Sequence, residues 1–161
     1  MYLIGDIGNS EIKICLLNNN KKIVKKIIFP NNKISLKKIS HNFKKINRYF
    51  LKIEKILFCS VVPSTFKLVK NFLNKKTKIK CYEIKELKLS TLIDIKVNYK
   101  QVGSDRLTNA ISLINNGKNY IIIDLGTATT FDVLINKSYR GGIIAPGIKL
   151  SLNTLSDRAS L

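Results

Sequence analysis

Two short segments repeat one chemical pattern: Asp6-Ile7-Gly8 followed by Asn9-Ser10, and Asp124-Leu125-Gly126 followed by Thr127. Each puts a carboxylate at the end of an apolar run and a glycine in the bend behind it. A glycine bend lets backbone N–H groups come close to a phosphate, because no side chain stands in the way. Small hydroxyl and amide groups, here Asn9, Ser10 and Thr127, add donors to phosphate oxygens. The aspartate repels phosphate and suits instead a cation that neutralises it. Two such bends facing each other would grip a nucleotide tail. The same residues also fit plain hairpin turns, and both readings stand at this level. Neither a GxxxxGKS/T loop nor a GxGxxG fingerprint is present.

Between the two bends lies Gly103-Ser104-Asp105-Arg106. At a helix start this offers a carboxylate and a guanidinium within one turn. Asp105 can accept a proton from an attacking hydroxyl, and Arg106 can hold a substrate carboxylate or a transferring phosphoryl group. An N-capping Asp beside a surface Arg fits the spacing equally well. Gly141-Gly-Ile-Ile-Ala-Pro-Gly147 reads as a loop leading into a helix. It allows close backbone approach to a ligand, or a tight strand–helix connection.

Positioning these groups requires strands that end at the bends. Apolar segments at 2–7, 11–17 and 23–29, separated by turn chemistry, predict a three-stranded antiparallel meander. Apolar residues from Ile34 to about Leu51 recur near helical period. A strand at 56–62, a helix opening at Pro63 and a short strand at 79–84 follow. After a connector, a helix is expected from about Asp105 to near Gly117, and then the strand Tyr120–Asp124. Residues 2–18 align without a gap on residues 120–136, an offset of 118. Two framed copies of one hairpin imply two related half-domains. The second copy has 42 residues from Tyr120 to Leu161, room for three strands and a helix. The expected organisation is a first lobe over 1–100, a connecting helix with Gly-x-Asp-Arg over 101–119, and an incomplete second lobe over 120–161.

Composition narrows the partners. The 161 residues carry a net charge of +19, with 45% hydrophobic residues, enough for a packed core. Residues 1–100 hold 22 Lys and one Arg against six acids, a balance of +17; residues 101–161 stand at +2. The excess is lysine without interleaved arginine and aromatics, which argues for a solvated surface over a nucleic-acid interface. Cys15, Cys59 and Cys81 are far apart and His41 is alone, so zinc spacing is absent and buried reduced thiols are expected. No window approaches a membrane span, and the N-terminus lacks the pattern of a secretory signal. A cytoplasmic location is the expectation.

Five motifs taken in order, Asp6-Ile-Gly-Asn-Ser10, Ser60-Val-Val-Pro63, Gly103-Ser-Asp-Arg106, Asp124-Leu-Gly-Thr-Ala-Thr129 and Gly141 to Gly147, resemble type III pantothenate kinase along nearly the whole chain. That resemblance implies an α/β fold of duplicated ribonuclease H-like (actin-like ATPase) half-domains, the first complete and the second truncated after about three strands and a helix. It implies ATP-dependent phosphorylation of pantothenate to 4′-phosphopantothenate, the first step of coenzyme A synthesis, by a homodimer. A divalent ion (Mg) would accompany ATP, with a monovalent one (K or ammonium) beside it. Asp6, Ile7, Gly8, Asn9, Ser10, Glu11, Ile12 and Lys13 would form the first phosphate loop, and Thr127 would contact ATP phosphate. Gly103, Ser104, Asp105 and Arg106 would line the pantothenate site, with Asp105 as proton acceptor and Asp124 as ligand of the monovalent cation. The chain departs from the family pattern at Lys96 and Tyr99, where Tyr and Pro are usual. The alternatives are a catalytically impaired relative acting as a regulatory or nucleic-acid-binding protein, and a related kinase for another small substrate.

Overall fold

A computed structural model describes residues 1–114 and 117–158. The chain divides into two compact units, Met1–Leu87 and Lys88–Leu161. The segment 88–100 and the helix bearing Gly103–Arg106 fall within the second.

The first unit is a five-stranded sheet with helices on one face. Strands β1 (Tyr2–Ile7), β2 (Glu11–Leu17) and β3 (Ile23–Pro30) form the antiparallel meander that alternation predicts. Strands β4 (Lys55–Ser60) and β5 (Cys81–Glu83) join on the far side of β1 in parallel, giving the order β3-β2-β1-β4-β5. Period-2 alternation sends Leu3, Ile7, Ile12, Ile14, Leu16, Ile27 and Phe29 into one core. Helices α1 (Leu36–Phe43) and α2 (Pro63–Lys76) bury Ile39 and Phe43, and Phe66, Val69, Phe72 and Leu73, in the same cluster. Gly5 lies in that apolar row because its direct β4 partner is Phe58. A Cβ on Gly5 would stand 2.1 Å from the Phe58 ring, which fills the space.

The helix expected over Ile34–Leu51 is not uniform. After Phe43 it tightens to a 3-10 helix over Lys44–Lys52. Asn42 draws on the α-helical ladder by donating its side-chain amide to the Lys38 carbonyl (2.9 Å). Beyond it Phe43, Ile46 and Tyr49 recur every third residue and pack on the core, the period of a 3-10 helix.

The second unit holds α3 (Ser104–Leu113), strands β6 (Asp94–Ile95), β7 (Tyr120–Leu125), β8 (Ala128–Ile135) and β9 (Ser138–Pro146), and α4 (Ile148–Arg158). The sheet order is β6-β9-β8-β7. Leu107 and Ala110 of α3, and Ile114 at its C-cap, are buried, as are Leu134 and Tyr139 of the sheet. The end of α3 expected near Gly117 borders residues 115–116, outside the described residues, as is 159–161. Residues 141–146, read above as loop, are strand, and only Gly147 precedes α4. The strand is bulged: Val133 faces Gly141 while Leu134 faces Tyr139, so Arg140 is the extra residue, and Gly141 takes φ +91°.

The gap-free repeat is broken by one residue. Asp6 pairs with Lys13, but Asp124 pairs with Thr130. Four residues separate the paired ends Ile7 and Ile12, whereas three separate Leu125 and Thr129. The second hairpin is therefore tighter, and β8 is shifted against its sequence alignment with β2.

Candidate active site

In the first unit, the bend after β1 opens with the Gly8 N–H donating to the Glu11 carbonyl (3.0 Å). Ile7 and Ile12 are core residues, so within 6–13 they can offer only backbone to a ligand. Asn9, Ser10, Glu11 and Lys13 are exposed, and Asp6 is half-buried at the end of β1. The Asp6 carboxylate accepts from the Cys59 thiol at 3.3 Å. A residue that sequence reasoning missed fixes the bend. Buried Asn31, just after β3, donates its backbone N–H to the Ser10 carbonyl (2.9 Å) and its amide to the Gly8 carbonyl (2.7 Å). The Thr65 hydroxyl, in the first turn of α2, donates to the Asn31 Oδ1 (2.9 Å). These bonds occupy carbonyls that would otherwise repel an anion. Ser60-Val-Val-Pro63 makes the β4–α2 junction: the Val61 N–H bonds the Ile7 carbonyl, the Val62 N–H bonds Ser60 Oγ, and Pro63 opens α2.

In the second unit, Gly103 is the N-cap of α3 and Asp105 lies in its first turn, where the helix dipole favours a carboxylate. Asp105 Oδ1 accepts the Arg106 N–H at 2.8 Å. Ser104 is buried, which leaves Gly103 and Asp105 as the more accessible members of the motif. Asn109 follows one turn after Asp105 on the same helix face, and its amide donates to Asp124 Oδ2 (3.0 Å). The helix thereby brings the expected proton acceptor and the expected cation ligand to one side of the unit. Thr127 is exposed on the β7–β8 bend, and Gly147 abuts that bend: a Cβ there would fall 2.4 Å from the Thr127 carbonyl oxygen. Glycine thus serves backbone packing at this point. Lys96 pairs with Asp94 at 2.9 Å, holding that carboxyl below its usual range, chiefly through the hydrogen bond.

Arg106 turns away from Asp105 into the unit. Its Nε donates to Asp132 Oδ1 (2.9 Å) and Oδ2 (3.1 Å), its Nη2 also reaches Oδ1, and the Tyr139 hydroxyl donates to the same oxygen. The hydrogen bond to Asp132 pushes the guanidinium pKa up. Burial, and then Asp132, push the Tyr139 phenol up. Removing one member of such a buried pair costs about 3–5 kcal/mol, because the other charge is stranded. The signal was present in the sequence: an aspartate two residues before Leu134 in an alternating strand needs an internal partner.

Among the described residues no three His, Cys, Asp or Glu side chains gather for a metal ion. The fit to a hard cation rests on oxygen. Thr130 is the cross-strand partner of Asp124, and its hydroxyl is buried without a hydrogen-bond partner. A carboxylate and an orphaned hydroxyl side by side are the donors that an alkali or alkaline-earth ion takes. No helix of the described residues is long and apolar enough to cross a membrane.

Comparison with known proteins adds to this geometry. The sequence model of one family, described as Type III pantothenate kinase, matches residues 2–161. A type III pantothenate kinase of Pelagibacter ubique is 57% identical over 160 residues, 99% of this chain and 64% of its own length. One from Fusobacterium nucleatum is 34% identical, over 95% of this chain and 63% of its own length. The chain thus spans a little under two thirds of these relatives. A putative 2-dehydro-3-deoxygalactonokinase structure from Sinorhizobium meliloti superposes with TM-score 0.56 at 6% identity, over 100% of this chain and 58% of that one, and so shares the fold.

Proposed function

The chain belongs to the type III pantothenate kinase family, and from that premise we propose that it serves ATP-dependent phosphorylation of pantothenate to 4′-phosphopantothenate, the first step of coenzyme A synthesis. One observation carries the residue assignment: Asp105 stands in the first turn of α3, one turn ahead of the Asn109 that holds Asp124.

In this reading Asp105 takes the proton as the pantothenate hydroxyl oxygen forms its bond to the γ-phosphorus. The bond from that phosphorus to the β-phosphate oxygen breaks, and ADP leaves. Gly103 and Ser104 border the same helix start and orient the substrate with Arg106. The Asp6–Lys13 bend and Thr127 bind ATP phosphates, with Asn31 keeping the Gly8 and Ser10 carbonyls engaged. Asp6 would hold the divalent ion that accompanies ATP, and Asp124 with Thr130 the monovalent one; bound, such ions neutralise developing phosphoryl charge. A homodimer in the cytoplasm completes the proposal.

Pantothenate binding by calorimetry and pantothenate-dependent ADP formation test it. Asp105→Asn is expected to cut turnover by about 10²–10⁴-fold while leaving ATP affinity in place. Undiminished turnover in that variant, or neither binding nor turnover in the unaltered chain, overturns the assignment.

A further inference from the structure

We propose that Asp132 and Tyr139 are positioning residues that hold Arg106 by one edge, so that the opposite edge of its guanidinium meets pantothenate. This rests on the kinase reading above for the ligand, and on the unit's own geometry for the lock.

The guanidinium has five N–H donors in a rigid plane. Asp132 takes the Nε and Nη2 edge, and among the described residues Nη1 has no protein partner. Arg106 is 9% exposed, Asp132 1% and Tyr139 0%. A side chain with four rotatable bonds is thereby fixed before any ligand arrives. Its ordering cost is met in folding and not in binding.

The strands are shaped for this contact. Asp132 pairs with Ile122 on β7, and the matching place on the first unit's hairpin, opposite Ile4, is Cys15, which carries no charge there. The pairing of β8 with β7 sets Asp132 on the face that α3 covers. On β9 the bulge decides which residue joins it. Without the bulge, continuous pairing from Asp132–Gly142 and Val133–Gly141 would put Arg140 opposite Leu134; with it, Arg140 is looped out and Tyr139 stands there. A neutral donor replaces a second cation beside the carboxylate. Gly142 lets β9 close on β8 at that level, where a Cβ would fall 1.8 Å from the Phe131 carbonyl oxygen.

Two measurements test the proposal on the whole chain, in Asp132→Asn and in the milder Tyr139→Phe. Proton–nitrogen NMR of the arginine side chains reads the lock without any ligand. A slowly exchanging Arg106 Nε–H is expected, lost in Asp132→Asn and faster in Tyr139→Phe. Calorimetry reads its use: Asp132→Asn weakens pantothenate about 30-fold, the equivalent of re-freezing an arginine side chain, and leaves ATP affinity unchanged. Tyr139→Phe should show a smaller loss of the same selectivity, and it stands in if Asp132→Asn does not fold. Unchanged pantothenate affinity in the variants, equal losses for both ligands, or a fast-exchanging Arg106 Nε–H in the unaltered chain each overturn it. Failure of the unaltered chain to bind pantothenate sinks the kinase reading and the proposed use together, whereas the NMR result judges the lock alone.

Discussion

The hairpins β1–β2 and β7–β8 begin with the same acid–x–glycine bend and end in opposite surroundings. Leu3 and Ile7 are 0% exposed, whereas Ile121 and Leu125, their counterparts by strand position, are 72% and 64% exposed. Gly5 gives its space to Phe58, but Ile123 at the matching place projects a full side chain outward. In the first unit β4 and α2 flank and cover the hairpin. Among the described residues of the second unit, β7 is the outer strand and α3 covers the other face, that of Asp124, Asp132 and Leu134. The bend is thus specified locally, whereas burial of its strands is decided by what the rest of the chain lays on them.

The largest expected contrast is between matched truncations. Leu3→Ala should cost about 2–5 kcal/mol, the range for emptying a packed core site. Ile121→Ala should stay within about 0.5 kcal/mol, as exposed substitutions do. Urea unfolding followed by circular dichroism measures both, and equal losses would dissolve the contrast. Next, Gly5→Ala should destabilise by about 3 kcal/mol, because the Phe58 ring has nowhere to go. Ile123→Ala provides the comparison and should be near neutral.

Asn31→Ala should cost about 1–2 kcal/mol, leaving the Gly8 carbonyl without its amide donor. The same variant should weaken ATP more than pantothenate in calorimetry. The smallest effect separates the units by pH. All three cysteines lie in the first unit, and burial pushes the Cys81 thiol up to about 12. A thiol that ionises later in the folded than in the unfolded chain contributes stability that is intact below pH 9 and lost as pH climbs toward 12. Between pH 8 and 10 the first unit should lose about 1 kcal/mol on this account, and Cys81→Ala should flatten the slope. Amide hydrogen exchange resolves the units, and the second should show only a shallower slope that sets in nearer pH 10, where Tyr139, its phenol pushed up by burial and Asp132, would ionise in the unfolded chain.

Much of this was legible in the residues. The meander, the βαβ return to β4 and the two bends follow from alternation, Asn and Gly punctuation and the Pro at the start of α2. The bulge at Arg140 and the two-residue β6 were not, since neither leaves a period in so short a run. The change to a 3-10 helix after Phe43 turns on spacings of three against four, which a nine-residue segment barely separates. Asn31 looks like a turn residue because Asn32 and Lys33 follow it; its value lies in partners more than twenty residues away in sequence. Arg106 and Asp132 were each visible, but their pairing spans 26 residues and a helix-to-strand packing that composition does not encode.

The two bends differ by one residue in length, and each closes on its own paired strand ends. Grafting the four residues Gly8–Glu11 in place of the three residues Gly126–Ala128 would still close on the paired ends Leu125 and Thr129, and so leave Asp132 opposite Ile122 and facing Arg106. An extra residue placed within β8, between Thr129 and Phe131, would instead turn every later side chain to the other side, with Asp132 outward and Phe131 opposite Ile122. The corner tolerates exchange where the strand behind it does not: a single insertion in that strand would do more harm than several conservative replacements.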